Sequence, residues 1–229
     1  MASNLPTSHT KRVADFLSKV QASHRGRLIF IVDATRSRER AWDAASRLQA
    51  QMFEEAGKLG TLDVQLVYFR GIEGFGGECK ASRWTSDPSE LTHFMARVTC
   101  QTGQTQYRRA LEHARKEHRI QPISAVVIVG DMCEEPAQAL YDAAGGPGVP
   151  CFVFQEGGDR DEPEYRNAAM IFKEMARLSH GAYSQFRPGA ERELADLLRA
   201  VAAFATGGLT ALSDLRSEAA VKLLGQMKK

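Results

Sequence analysis

The sequence predicts one α/β domain on a doubly wound, mostly parallel open sheet, with helices on both faces and one antiparallel edge strand. Three observations carry this. Two short apolar runs, LIFIV at 28–32 and AVVIVG at 125–130, have the uninterrupted, β-branched composition of strands buried on both faces. Segments with apolar residues at i, i+3, i+4 and i+7 alternate with such runs, as helices crossing over a parallel sheet must. A chain of 229 residues, 43% hydrophobic and 25% charged, suits one such domain, whose core needs no disulfide or structural metal.

Residues 8–24 predict an opening helix, with Val13, Phe16, Leu17 and Val20 on one stripe and Ser8 or Thr10 as its cap. Residues 1–25 thus form an N-terminal helix packed on a domain that spans 26–206. The strand 28–32 ends in Asp33. A helix over 38–58 follows, with Trp42, Ala45, Leu48 and Met52 on one face and Gly57 and Gly60 closing it. The second strand is DVQLVYF, 63–69. The glycine-rich stretch 70–90 turns the chain back sharply, so an antiparallel strand at the sheet edge is expected there. Helices are expected over 89–100, with Leu91, Phe94, Met95 and Val98 inward, and over 107–118, with the loop TCQTGQT between them. The strand 125–130 also ends in an aspartate, Asp131. A helix near 136–144, a strand at 150–154, a helix over 164–179, the strand GAYSQF and a core helix over 190–205 complete the domain. Gly207 and Gly208 interrupt that pattern, leaving 207–229 as a C-terminal amphipathic segment. Its stripe of Leu212, Leu215, Ala219 and Leu223 either packs back on the domain or meets a partner helix.

A formal charge of +2 and a pI near 8.4 are too mild to point to nucleic acid or an anionic membrane. The four cysteines, Cys79, Cys100, Cys133 and Cys151, form no CxxC pair and have no histidine at ligand spacing, which suits reduced thiols. The N-terminal MASNLPTSHTKRV has no apolar signal-peptide region, and no apolar run approaches the about 20 residues that span a bilayer. A cytoplasmic protein whose partner is neither nucleic acid nor membrane is expected.

Right-handed crossovers put the carboxyl ends of all parallel strands on one edge, and ligands of open α/β sheets bind there, where strand order reverses. The stretch DATRS brings Asp33, Thr35 and Ser37 to that edge, and Asp131 follows the 125–130 strand to it. Thr105, in GQTQYRRAL, stands just before a helix that feeds this strand, so it starts at the same edge. The five side chains offer hard oxygen donors without sulfur or imidazole, a set that suits Mg²⁺ or Mn²⁺. Two carboxylates only neutralise a dication, which leaves room for an anionic ligand from outside. Plainer roles exist for each residue: Thr35 or Ser37 can cap a helix, and Asp131 can favour a helix N-terminus. Arg36 and Arg38 stand beside the opening, where they either attract an acidic partner or start a solvated helix.

This pattern resembles the von Willebrand factor A-type (VWA) domain and its metal-ion-dependent adhesion site (MIDAS). The family writes that site as D-x-S-x-S, a distant Thr, and a distant Asp after a buried strand. Here these are Asp33, Thr35 and Ser37, then Thr105, then Asp131 in VIVGDM, and the element order over about 26–205 follows the family as well. Thr35 replaces the first serine but keeps its hydroxyl, and GDM stands where many members have TDG. The resemblance implies a Rossmann-like fold with Mg²⁺ held by Asp33, Thr35, Ser37, Thr105 and Asp131. It also implies a non-enzymatic module that recognises an Asp or Glu of a protein partner at the ion. Intracellular members often serve multi-protein assemblies or AAA+ ATPases, so such a setting is the expectation here. Two alternatives are a metal-assisted hydrolase using the same five oxygens, and a structural subunit whose metal site is vestigial.

Other chemistries fit the letters less well. A haloacid dehalogenase-type phosphatase expects a second Asp two residues after the first as general acid, and Thr35 stands there. A dinucleotide site expects GxGxxG after the first strand, whereas DATRSR contains no glycine. GIEGFGG, 71–77, lacks a following GK[ST] and reads as turn chemistry. The acidic loop 155–164 lacks the spacing of a calcium loop. Cys133, two residues past Asp131, reads as an ordinary partly buried cysteine.

Overall fold

The computed structural model describes residues 25–35, 62–146, 148–157, 161–187 and 190–227. The helices expected over 8–24 and 38–58 lie outside these residues, as do Arg36, Ser37 and Arg38.

Strands β1 (Gly26–Asp33), β2 (Leu62–Arg70), β3 (Glu78–Ala81), β4 (Ala125–Gly130), β5 (Cys151–Glu156) and β6 (Ala182–Phe186) form one sheet. Their order is β3-β2-β1-β4-β5-β6. All neighbours run parallel except β2 and β3, which pair antiparallel from Val67↔Ala81 to Arg70↔Glu78. The helices are α1 (Pro88–Ala96), α2 (Tyr107–Ile120), α3 (Ala137–Gly145), α4 (Pro163–Leu178), α5 (Glu191–Asp214) and α6 (Glu218–Met227). This is the doubly wound, mostly parallel architecture that the apolar runs predict.

β1 shows why both faces must be covered. Every residue of it is buried, and side chains alternate across the pleat. Leu28, Phe30 and Val32 belong to a core shared with α1, α5 and α6. Ile29 and Ile31 belong to a second core, shared with α2, α3 and α4. A strand apolar on both sides is stable only between two helical layers.

Two helix ends differ from expectation, for identifiable reasons. α1 stops at Ala96 rather than near Cys100. Past that point the chain is drawn to the sheet: Arg70 holds the Thr99 carbonyl at 2.6 Å, and the Gln101 N–H donates to the Ala34 carbonyl at 3.1 Å. α5 continues beyond the glycines, but Gly208 takes φ 66° and ψ −158°, which bends it into two segments. By length and composition alone α5 is apolar enough to cross a membrane, yet more than half of its most apolar stretch is buried, and it packs on β1, β2 and β4. Beyond the bend, Leu212, Ala220 and Leu223 enter the α5 core, with Leu215 and Ala219 packed against it. From α6, Gln226 clamps β6: its Oε1 accepts from the Tyr183 N–H at 2.9 Å, and its Nε2 donates to the Tyr183 carbonyl at 2.8 Å.

A buried polar link ties α2 to the β2–β3 side. Gln65, buried in β2, donates from Nε2 to the Ser82 carbonyl at 2.9 Å, so its Oε1 faces His113 Nε2 at 2.8 Å. That assignment makes Nε2 the protonated nitrogen of a neutral His113. Burial holds the imidazole below its ordinary pKa. The folded state thus binds fewer protons than the unfolded chain below the unfolded value of about 6.5. The His113 contribution is complete above that pH and is lost as pH falls through the lower folded value. Urea denaturation of wild type and His113→Asn from about pH 7.5 to about pH 5 is expected to show a steeper loss in wild type. Equal slopes would remove burial of His113 as a source of pH sensitivity.

Candidate functional site

The chain winds outward from β1 to β2 and β3, then crosses back to β4, so strand order reverses between β1 and β4. The crevice at their carboxyl ends is the switch point where open sheets take ligands. Asp33 closes β1, opposite Phe69 of β2, and Asp131 follows the last residue of β4. With Val32 paired to Val129, both aspartates leave the sheet within two positions of each other's register.

Local hydrogen bonds shape each ligand loop. Asp33 Oδ1 accepts the Thr35 N–H at 2.7 Å, the Asx turn that bends the chain away after the strand. Ala34 stays tied to β2 through a 3.0 Å bond to the Phe69 carbonyl, and Thr35 lies beside Gln101 as an isolated parallel bridge. The 99–106 loop is pinned in turn to the end of β2. Gln104 donates to the Gly71 carbonyl at 3.1 Å, and Gln106 Nε2 reaches the same oxygen at 3.1 Å. Gly103 lies so close to the Gly71 backbone that a Cβ would overlap it, which is why GQT needs its glycine.

Thr105 is joined to the loop after β4 by a reciprocal pair. Its N–H donates to Glu134 Oε2 at 2.7 Å, and its Oγ1 accepts the Glu134 N–H at 3.1 Å. The next residue, Glu135, accepts the N–H groups of Tyr107 at 2.6 Å and Arg108 at 2.9 Å. These are open donors of the first turn of α2, whose N-cap, Gln106, makes no side-chain cap bond. Burial raises the Glu135 carboxyl above its ordinary pKa, against those helix-end bonds. Sequence reasoning missed both glutamates. The available signal was a helix starting on Gln106 without a cap of its own and a Glu pair following Asp131.

Tyr107 anchors this turn. It is fully buried, edge-on to Phe69 at 4.9 Å and to Phe172 at 5.4 Å between ring centroids. Its hydroxyl lies where a Cβ on residue 130 would project, so glycine before Asp131 makes room for the ring. The Asp131 carbonyl accepts from Gln155 Nε2 at 2.8 Å. Cys133 is buried, and desolvation pushes its thiol up to about 12, so it is a neutral thiol rather than a thiolate ligand.

Asp33, Thr35, Thr105 and Asp131 are therefore all present at the carboxyl edge, at 1%, 6%, 6% and 8% exposure. Ser37, Arg36 and Arg38 lie outside the described residues. A cleft of about 280 Å³ opens beside Thr105, lined among others by Glu73, Gln104, Arg108, Glu134 and Glu135. A larger hollow of about 580 Å³ lies against α1, by Ser82 and Phe94, and none of the predicted ligands lines it. Among the described residues no group of three or more His, Cys, Asp or Glu side chains is arranged for a metal. The predicted ligands among the described residues are two carboxylates and two hydroxyls, a set that fits a hard dication keeping several waters and suits no softer metal.

The fold is a VWA-like α/β fold. No family model and no curated protein matches the sequence. Among solved structures, the chain is similar to the conserved hypothetical protein BatB from Bacteroides thetaiotaomicron, with a TM-score of 0.54 and 17% identity over 75% of this chain and 96% of that one. It is also similar to a von Willebrand factor type A protein from Catenulispora acidiphila, with a TM-score of 0.57 and 16% identity over 80% of this chain but 43% of that one. The vWF domain of the type V pili tip protein Mfa5 from Porphyromonas gingivalis gives a TM-score of 0.52 and 10% identity over 77% and 93% of the two chains. These likenesses are likenesses of fold.

The Tyr107–Gly130 contact is directly testable. Gly130→Ala is expected to destabilise the fold by about 1–3 kcal/mol through overpacking, and by clearly less in a Tyr107→Phe background. Urea denaturation of the four proteins of the cycle measures this; no coupling between the two sites would contradict the contact.

Proposed function

We propose that this chain is a non-enzymatic, metal-dependent protein-binding module, recognising an acidic side chain of a partner protein through Mg²⁺ at the carboxyl edge. The observation that carries it is the pair of strands at the switch point, β1 and β4, each ending in a buried aspartate, with Thr105 brought to the same edge. Asp33, Thr35, Ser37, Thr105 and Asp131 would hold the ion, some of them through water, and Mn²⁺ can take its place. The ion supplies a positive, directional contact for a carboxylate from outside. Arg36 and Arg38 would stand beside the opening and favour an acidic partner electrostatically.

Support for an interaction role comes also from the company of the fold. SpaC from Lactobacillus rhamnosus GG is a pilus adhesin, and its structure is similar to this chain with a TM-score of 0.59 at 10% identity, over 77% of this chain and 30% of that one. Mfa5 is a pili tip protein. We keep the cytoplasm as the proposed location, within an intracellular multi-protein or AAA+ ATPase-linked assembly, which fractionation of the native host tests.

Calorimetric titration with Mg²⁺ and Mn²⁺ is expected to show saturable binding by wild type and none by Asp33→Ala or Asp131→Ala. Identical traces for all three proteins would refute the metal site. Turnover by wild type in a phosphatase and esterase panel with Mg²⁺, lost in Asp33→Ala, would favour the metal-assisted hydrolase instead.

A further inference from the structure

We infer that Glu134 is a positioning residue for the cation edge, setting Thr105 against Asp131 without contacting the ion; this rests on the Mg²⁺ reading above. The reciprocal pair is the basis. Glu134 grips Thr105 at two points, the main-chain N–H through its carboxylate and the hydroxyl oxygen through its own N–H. The 2.7 Å bond to the carboxylate has the length of a charge-assisted hydrogen bond. Both bonds bridge 29 positions of sequence, from the Thr105 loop to the loop that leaves β4.

A hydroxyl oxygen has one proton and two lone pairs. The Glu134 N–H occupies one lone pair of Thr105 Oγ1, which leaves the other for a cation. Rotation of the Thr105 side chain would break this bond and the hydroxyl's bond to the Glu135 carboxylate, so the two glutamates together set the direction of the remaining lone pair. Glu134 is also three residues beyond Asp131, so the same pair sets the spacing of the two loops that carry Thr105 and Asp131. The other main-chain ties of the Thr105 loop run to Arg70 and Gly71 at the end of β2 and, through Gln101, to the Ala34 carbonyl beside Thr35. Glu135 serves the Tyr107 and Arg108 amides and accepts from the Thr105 hydroxyl, while only Glu134 holds the Thr105 main chain.

A positioning role and a ligand role for Glu134 make opposite demands. Gripping a backbone N–H requires an acceptor oxygen at the right reach, which Gln supplies without charge. Binding the ion, or attracting it, requires the charge, which Asp keeps while falling one methylene short of Thr105. The experiment is calorimetric titration with Mg²⁺ of wild type, E134Q, E134D and D33A, with thermal denaturation and amide exchange of the metal-free proteins. E134Q is expected to bind within about threefold of wild type, and E134D to bind about tenfold or more weakly, the cost typical of a lost outer-shell partner. Melting temperatures of both should stay close to wild type. Without metal, the Thr105 amide should lose exchange protection in E134D while the Tyr107 amide, held by Glu135, keeps it.

E134Q binding about tenfold or more weakly, whether or not E134D keeps its affinity, would overturn the positioning role in favour of charge. Both variants binding like wild type would overturn it outright, with the metal reading intact. Wild type and D33A equally indifferent to Mg²⁺ would overturn the metal reading and this inference together.

Discussion

The first turn of α2 is the constraint on which the carboxyl edge depends. Tyr107 is wedged edge-on between Phe69 of β2 and Phe172 of α4, with its hydroxyl against Gly130 at the end of β4. Three elements therefore meet at one side chain, and the turn can neither slide along its axis nor rotate. The amides of that turn donate to Glu135 from outside the helix. Thr105, two residues upstream, inherits a fixed place beside the β4 loop. The placement is a packing result first and a polar one second: without the ring in its slot, the glutamates would have no fixed helix end to meet.

A buried polar chain does the equivalent work on the far side of β4. Gln155, fully buried in β5, donates to the carbonyls of Asp131 and Tyr165 and accepts from the Tyr183 hydroxyl. Burial raises the Tyr183 phenol well above its ordinary pKa, so it stays a donor. Every polar atom of the Gln155 amide thus has a partner, as an interior polar group requires. The main chain at Asp131 is fixed from β5, while its loop is held from α2, so the aspartate sits between two rigid supports.

What the sequence disclosed and what it did not divide along a physical line. Buried parallel strands are legible because every position is apolar, and a polar residue at the end of such a run marks where the chain leaves the core. Asp33 and Asp131 were found in that way. Thr105 needed one further step, the rule that a helix before a parallel strand starts at the carboxyl edge. The misplaced ends of α1 and α5 were set by contacts distant in sequence, Arg70 with Thr99 and the return of Leu212 to the core, or by a single backbone angle at Gly208. Glu134 and Glu135 were illegible for the same reason. They satisfy amides 27 to 29 positions away, and no local period announces a cap supplied from another loop.

Gln226 has a consequence for how this domain meets other molecules. The side chain amide of a single glutamine sets a carbonyl oxygen and an NH2 group at the spacing of a peptide group, and it uses both on the main-chain groups of Tyr183. In effect it stands in for one residue of an added strand, where an incoming chain would otherwise zip onto β6. At the opposite margin β3 is only four residues long and carries the Lys80–Glu78 ion pair, a poor template for intermolecular pairing. Among the described residues, both margins of the sheet are thus poor templates for strand addition. A partner joining by strand addition at β6 would first have to evict α6.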